Sequence, residues 1–438
     1  MSDQKLRPLD KIERYHATRV YLGMDTCIAA SARYTTPENT ALTQEVLFPA
    51  LRVVIEKHAP LGMRHDRKPD SKDVAFCRLP SIDLSRVVEF SDRDLHTALE
   101  AHLSRGFDES GGDLPLWRLE VLTGNVVLLA MHHGIGDGLS TRTVLYSLFC
   151  ALQDTSLPPY TSPVAVPSIP ILPGIFQLIN PRPSWSAASR MIWHAVLPDP
   201  WNRNYSAWTG EPFPTTIAIQ TRVRLVSFEP SESRRFTDIC RSHNATITGA
   251  FYELAVTVFS RLIAKAPDVA RYKAVHISVA SSYRHLLGGE GDMCNYVESW
   301  PSFPRLHTEF SWEAAARATG KFKKHKARRP ANLGFLSWVS GDYTGWMTSE
   351  LGKKRRSTLI ISNLGRSDVP AVEGKWRMGE MFFAQADSLV GPTMTMNMVG
   401  DPAGGINLAI TWGEKSVDSA LAEEFVSLFR DAVLGMSK

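Results

Sequence analysis

Eight prolines crowd the stretch 157–183, at positions 158, 159, 163, 167, 170, 173, 181 and 183. Each lacks a backbone N–H and locks its own φ, so neither a helix interior nor a central strand can run through the stretch. A segment of this kind is semi-rigid and extended. It divides a chain of 438 residues, which is itself too long for one ordinary hydrophobic core. Two lobes with a connection between them are expected: an N-terminal lobe over 1–180, a connection over 181–215 whose proline-rich part begins near 157, and a C-terminal lobe over 216–438. The stretch 185–213 shows no usable periodicity.

Composition narrows the class. At 44% hydrophobic and 21% charged residues the chain can bury a core and is not a disordered segment. Forty-nine Lys+Arg against 45 Asp+Glu leave only +4, which argues against a dedicated nucleic-acid binder. No apolar run reaches the roughly 18–20 residues that cross a bilayer, and residues 1–23 are too mixed and charged for a secretory signal. The five cysteines (Cys27, Cys77, Cys150, Cys240 and Cys294) are scattered, with no CxxC. They read as reduced thiols of a cytoplasmic protein, with no disulfide frame and no zinc site. No repeat of about 20–50 residues is present.

Strand and helix patterns alternate irregularly. Ser91 and Asp94 open a helix with Leu95, Ala98, Leu99 and Leu103 on one face, stopped at Gly106. An earlier helical pattern through Leu42, Val46, Leu47, Val53 and Val54 carries Pro49, which is expected to kink or divide it. Residues 121–131 read as a single strand buried on both faces. A helix follows, with Val144, Leu145, Leu148, Phe149 and Leu152 on its inner stripe. In the second half, 247–263 is apolar all round and reads as a central buried helix. Strands are expected around 223–226, 275–279, 358–362 and 406–412. Met394, Met396 and Met398 share one strand face and are expected in the core. A closing helix presents Leu421, Phe425, Leu428 and Phe429 to a sheet.

Between the 121–131 strand and the next helix lies His132-His133-Gly134-Ile135-Gly136-Asp137-Gly138. Consecutive strand residues point to opposite faces, so only one histidine can face a given cleft. The glycines permit a sharp exit turn. Four readings are open from the residues alone. One is a structural turn with incidental histidines. A metal site is another, although adjacent histidines diverge and no third-ligand cluster stands out. A dinucleotide loop is a third, but the last glycine of GxGxxG would fall at Leu139. The fourth is a histidine general base.

The segment resembles HHxxxDG, the signature of the chloramphenicol-acetyltransferase-like superfamily, which includes condensation domains, plant acyltransferases, polyketide-associated acyltransferases and fungal alcohol acetyltransferases. Phe107-Asp108 followed by Pro115-Leu116-Trp117-Arg118 is similar to the stretch that precedes the motif in condensation-type members. The segment from Ile277 to Arg284, Asn295-Tyr296-Val297 and Ser362-Asn363-Leu364-Gly365 resemble later family segments. The resemblance spans essentially the whole chain and favours the stand-alone alcohol acetyltransferase or polyketide-associated branch. The plant DFGWG motif is missing, and no fused carrier or adenylation domain is expected.

The resemblance implies an α/β fold of two chloramphenicol-acetyltransferase-like lobes, each a mixed sheet with flanking helices, forming an interlobe tunnel. It implies a monomeric, cytoplasmic CoA-dependent O-acyltransferase, with peripheral membrane association as the alternative. An acyl group, acetyl by default, would pass from a thioester to a hydroxyl or amine of a small lipophilic secondary metabolite. Acyl-CoA is the expected co-substrate, no cofactor is permanently bound, and an acyl carrier protein is the alternative donor. Further alternatives are a cyclising member of the fold and a non-catalytic scaffold. His133 would be the general base, and His132 would be structural. Asp137 would orient the loop, with Arg284 as its partner across the lobes. Gly138 would turn the chain and, with Ser362 and Asn363, be a candidate oxyanion donor. Residues 305–356 hold twelve Lys/Arg against four Asp/Glu. Within them Lys353, Lys354, Arg355 and Arg356 are expected to attract an anionic donor, although solvated faces would show the same charge.

Overall fold

The computed structural model describes residues 4–67, 73–109, 112–181, 189, 205–338, 342–369 and 374–437. Most of the unassigned stretch 185–213 lies outside the described residues. In chain order the principal elements are α1 (Lys11–Tyr21), β1 (Ile28–Thr35), α2 (Gln44–Lys57), β2 (Val88–Phe90), α3 (Leu95–Leu103), β3 (Trp117–Leu122), β4 (Val126–Met131) and α4 (Gly138–Leu152). The second half contributes β5 (Thr221–Phe228), α5 (Pro230–Ser242), α6 (Ile247–Ile263), β6 (Ile277–Ser282), β7 (Val297–Ser302) and α7 (Trp312–Lys326). It continues with β8 (Leu359–Arg366), β9 (Arg377–Gln385), β10 (Met394–Gly400), β11 (Ile406–Gly413) and α8 (Ser419–Met436).

Two mixed sheets organise the molecule. The first runs β9-β1-β4-β3-β2 and the second β5-β11-β10-β8-β6-β7. α2 and α4 cover the first sheet, and Tyr34 of β1 donates its hydroxyl hydrogen to the Leu145 carbonyl of α4 at 2.7 Å. The second sheet rests on α6, whose residues are buried nearly throughout, as its unbroken apolarity requires. α8 closes over α6 with Phe425 stacked on Phe259. Met394, Met396 and Met398 all sit in this second core.

β9 belongs by sequence to the second half but pairs antiparallel with β1 in the first sheet, from Arg377↔Thr35 to Gln385↔Ile28. Gln385 then reaches the second sheet: its Nε2 donates to Asn397 Oδ1 at 2.7 Å, and its carbonyl accepts from Thr411 Oγ1 at 2.8 Å. One strand thus stitches the two sheets together.

Three local expectations change. The stretch 121–131 is not one strand but the end of a hairpin, β3 and β4, turned by Gly124 and Asn125 at φ of 73° and 57°. Both strands are buried along their whole length, which masks the break in the apolar run. α2 continues through Pro49. The carbonyl that loses its donor is that of Glu45, in the exposed first turn, while Phe48, Leu51 and Val54 bury the inner face. The helix expected after Ser91 is capped by Asp94, whose carboxylate accepts from Thr97 N. Ser91 instead bonds Glu120. The proline-rich stretch contains one short helical turn, Ile175–Leu178, and a two-residue strand. Among the described residues no single helix is long and apolar enough to cross a membrane.

Candidate active site

The sheets face each other across a cavity of about 380 Å³. His133 and Gly138 line it from the motif loop, Ile28 and Phe383 from the first sheet, and Ile360 and Ser362 from the second. Helix α1 closes one side with His16 and Arg19. A larger groove of about 530 Å³ lies between α5 and the ends of β8 and β10. It contains no histidine, so the chemistry is placed in the interlobe cavity.

The two motif histidines point apart, as strand alternation demands. His132 is fully buried. Its Nδ1 accepts from Gly134 N at 2.7 Å, so its Nε2 carries the proton and donates to Glu109 Oε1 at 2.6 Å. Glu109 also meets His65 Nδ1 at 3.1 Å and Arg67 Nη2 at 3.2 Å. Burial raises this carboxyl, but His65 and His132 together hold it well below the ordinary carboxylate value. The ligand atoms of His65, Glu109 and His132 lie close enough to share a metal ion. Direct hydrogen bonds already span that space, however, and a guanidinium sits on the same carboxylate. Arg118 shapes the preceding loop through the carbonyls of His102, Arg105 and Gly106 and lies over the Phe107 ring, which delivers Glu109 to the cluster.

Glu109→Ala strips three buried partners at once. We expect a loss of about 2–4 kcal/mol in denaturant unfolding, with Glu109→Gln, which keeps an acceptor, losing less than half as much.

His133 faces the cavity. Its Nδ1 is enclosed and, among the described residues, has no hydrogen-bond partner from another residue. Its ring stacks on His16, with centroids 3.7 Å apart and planes 10° from parallel. Burial pushes His133 below the ordinary imidazole value, against the opposing pull of Asp25, the residue's own backbone and Asp137. It is therefore a neutral base at pH 7.

Asp137 caps α4, accepting from Ser140 N at 3.0 Å. Arg284 Nη2 donates to Asp137 Oδ1 at 2.7 Å and to Ser140 Oγ at 2.9 Å, and Nη1 holds the carbonyls of Gly289 and Asp292. Asn295 Nδ2 donates to the His133 carbonyl at 2.6 Å. The loop after β6 therefore grips the motif loop from the opposite lobe.

The chain does turn here, with Ile135 N donating to the His132 carbonyl at 3.1 Å, but the turn does not need the glycines' left-handed freedom. None of Gly134, Gly136 and Gly138 has a positive φ. They provide room instead. A Cβ on Gly134 would come within 2.8 Å of the His132 ring, and one on Gly138 within 2.7 Å of both Leu364 and Phe383. Gly138 is the first residue of α4, so its N–H has no intrahelical acceptor.

Two further expectations are corrected. Ser362 and Asn363 alternate along β8, so only Ser362 lines the cavity. Asn363 points to the helix side, donating to Thr248 Oγ1 at 2.9 Å. The basic run 353–356 does not converge on the cavity. Lys353 and Arg356 share Glu350 at 3.4 and 2.7 Å, and Lys354 holds the carbonyls of Tyr205 and Ala207. Arg355 is buried against the Gly391 and Pro392 carbonyls and Ser416. Lys354 and Arg355 brace the loop, while Lys353 and Arg356 remain 56% and 57% exposed beside Glu350. His16, Arg19, Asp25 and Glu298 were not singled out by the sequence, and no short motif surrounds them; Glu109 was also not singled out, although it directly follows the quoted Phe107-Asp108.

Comparisons with known proteins agree with this geometry. Residues 331–433 match the alcohol acetyltransferase family. Over 399 residues, covering 81% of this chain and 79% of the other, the chain is 23% identical to a Fusarium pseudograminearum protein named probable alcohol acetyltransferase FCK4. Its fold is similar to that of the TRI3 trichothecene 15-O-acetyltransferase from Fusarium sporotrichioides, with a TM-score of 0.68 and 12% identity over 99% of this chain and 95% of the other. It is also similar to the condensation domain of the Monacolin K polyketide synthase MokA, with a TM-score of 0.66 and 14% identity over 100% and 98% of the two chains. The chain has the two-lobed fold that these solved structures share. The sequence resemblance is to fungal alcohol acetyltransferases.

Proposed function

We propose that the protein is an acyltransferase that moves an acyl group, acetyl by default, from acyl-CoA to a hydroxyl of a small lipophilic acceptor. The observation that carries this reading is a neutral, half-buried imidazole, His133, lining a cavity between two lobes whose contact holds its loop. Ile28, Leu336, Ile360 and Phe383 give the cavity apolar walls suited to a lipophilic acceptor. As the acceptor oxygen attacks the thioester carbonyl, its proton passes to His133. The tetrahedral oxyanion takes hydrogen bonds from Ser362 Oγ and the Gly138 N–H. Collapse breaks the C–S bond, and the imidazolium returns its proton to the leaving thiolate. No covalent acyl-enzyme is needed.

The phosphates of the donor need cations. The groove beside β8 is our candidate for them, since Arg234, Arg241 and Arg366 line it together, next to Asn363 and Gly365. Arg234→Glu and Arg366→Glu are expected to raise KM for acyl-CoA roughly 10-fold each with kcat within two-fold. Lys353→Glu should leave that KM unchanged. Steady-state kinetics at low salt checks both.

A second reading takes the acyl group from a carrier protein. It is favoured by the exposed cations Lys321, Lys323, Lys324 and Lys326 on α7 and by Arg328 and Arg329 just beyond it. One experiment tests both. The purified chain is incubated with radiolabelled acetyl-CoA and a panel of lipophilic alcohols, and thiol release and labelled ester are measured. Equal amounts of ester and free thiol support the reading. Turnover only when an acylated carrier protein is added supports the second reading. No thiol release with any acceptor or donor overturns both.

A further inference from the structure

A general base must be held in orientation, and the usual device is an acceptor on the ring nitrogen that does not react. Among the other described residues none supplies that device to His133, and only the residue's own backbone acts on the ring nitrogen. The Asp137 carboxylate is taken up by Arg284 and Ser140. Asn295 holds the His133 carbonyl and not its ring. His133 Nδ1 has no partner from another residue. What meets the ring is the face of a second imidazole, His16, in near-parallel contact at 3.7 Å.

We propose that His16 is a positioning residue, whose stacked ring sets the plane of His133 and so aims its reactive nitrogen into the interlobe cavity. The proposal rests on the reading of His133 as the base.

Three observations support it. First, His16 is anchored. It sits on α1, whose N-terminus is closed by a capping box between Asp10 and Glu13, with Glu13 gripped by both Nη atoms of Arg7. Arg19, one turn further on, pairs with Asp25 at 2.6 Å. Tyr15, beside it, packs on Tyr343 and Trp346 of the opposite half. The stacking ring therefore has a rigid mount.

Second, His16 is an expensive choice for mere packing. It is only 6% exposed, and its Nδ1 is buried without a partner among the described residues. An unsatisfied buried polar atom carries a cost that phenylalanine or leucine would avoid. Third, the electrostatics suit the role. Burial, with His133, Arg19 and His132, drives His16 well below the ordinary imidazole value. A neutral π face tolerates the imidazolium that forms on His133 during transfer, whereas a second cation would repel it. The other titratable groups around the pair are Tyr15, Asp25 and Asp137, with Glu298 across the cavity.

The test compares His16→Ala, which removes the ring, with His16→Phe, which restores a flat stacking face without nitrogen. Melting curves of the full-length variants establish that each is folded. His16→Ala is expected to lower kcat on the order of 10–100-fold with little change in donor KM. Its acid limb should move up toward the ordinary imidazole value as water reaches His133. His16→Phe is expected to recover most of the rate and to keep the acid limb low. NMR titration of the ring-labelled His133 in the substrate-free protein should show the same order. Wild-type kcat and titration in His16→Ala would overturn the proposal, as would a His16→Phe variant no better than alanine. If the wild type itself transfers no acyl group, the base reading fails, while the NMR comparison still decides whether His16 sets the His133 ring.

Discussion

His133→Ala is expected to abolish thioester-dependent transfer to within background, a fall in kcat of roughly 10²–10⁴-fold, with the fold and donor KM little changed. The side chain lines the cavity and makes no hydrogen bond to another residue through Nδ1, so its removal disturbs little of the scaffold. His132→Ala should behave differently. That ring is bonded to Glu109 and to the Gly134 N–H, so its loss should appear first in the melting temperature. The wild-type pH profile carries the same information. Burial lowers His133, so the base stays neutral as pH falls through the ordinary imidazole value of about 6.5. The acid limb of kcat/KM should therefore begin below that pH. A limb at or above it would mean that the titrating group is not this histidine in this environment.

Removal of the Arg284 guanidinium is expected to have the largest effect on stability. The Asp137–Arg284 pair is 2.7 Å apart, with side chains 4% and 3% exposed. Arg284→Met leaves a carboxylate buried without its cation, at a cost of about 3–5 kcal/mol. Asp137→Ala leaves the cation instead and also removes the cap of α4, worth about 1 kcal/mol more. The double variant should lose less than the sum of the two, because neither charge is then stranded. Chemical denaturation of the three variants gives the cycle. Transfer should fall in each, since the same contact holds the loop that bears His133. Full activity in a destabilised Arg284→Met would separate the pair from the chemistry.

How much of this was legible follows from sequence separation. The His132–Gly138 segment combines its chemistry within seven neighbouring residues, so the opposed histidines follow from strand geometry alone. The Asp137–Arg284 contact spans two lobes. Only the resemblance to a known family brought the two residues together. Glu109, His16 and Asn295 reach the motif loop from separate elements; Asn295 and the neighbourhood of Glu109 were marked only by the family resemblance, and nothing near His16 marks that meeting. Gly124-Asn125 was a readable hairpin signal, but the apolar run around it hid the turn because both strands are buried. The basic run at 353–356 shows the opposite error. Its charge was plain, while the carbonyls that hold Lys354 and Arg355 belong to other segments. Serine and asparagine at 362 and 363 looked equivalent as letters, yet alternation along β8 sends them to opposite faces.

The crossing of β9 bears on how such a chain can be cut or recombined. The strand that completes the first sheet is encoded well beyond the proline-rich connection. A fragment ending at that connection would keep β1 and β4 but leave the outer side of β1 unpaired, a bare edge open to self-association. The complementary fragment would carry a strand with no sheet to join. The two halves are therefore not exchangeable cassettes. A chimaera between relatives that splits the gene at the linker would join foreign surfaces along β9 and β1, and a productive one must carry residues 377–385 together with the N-terminal half.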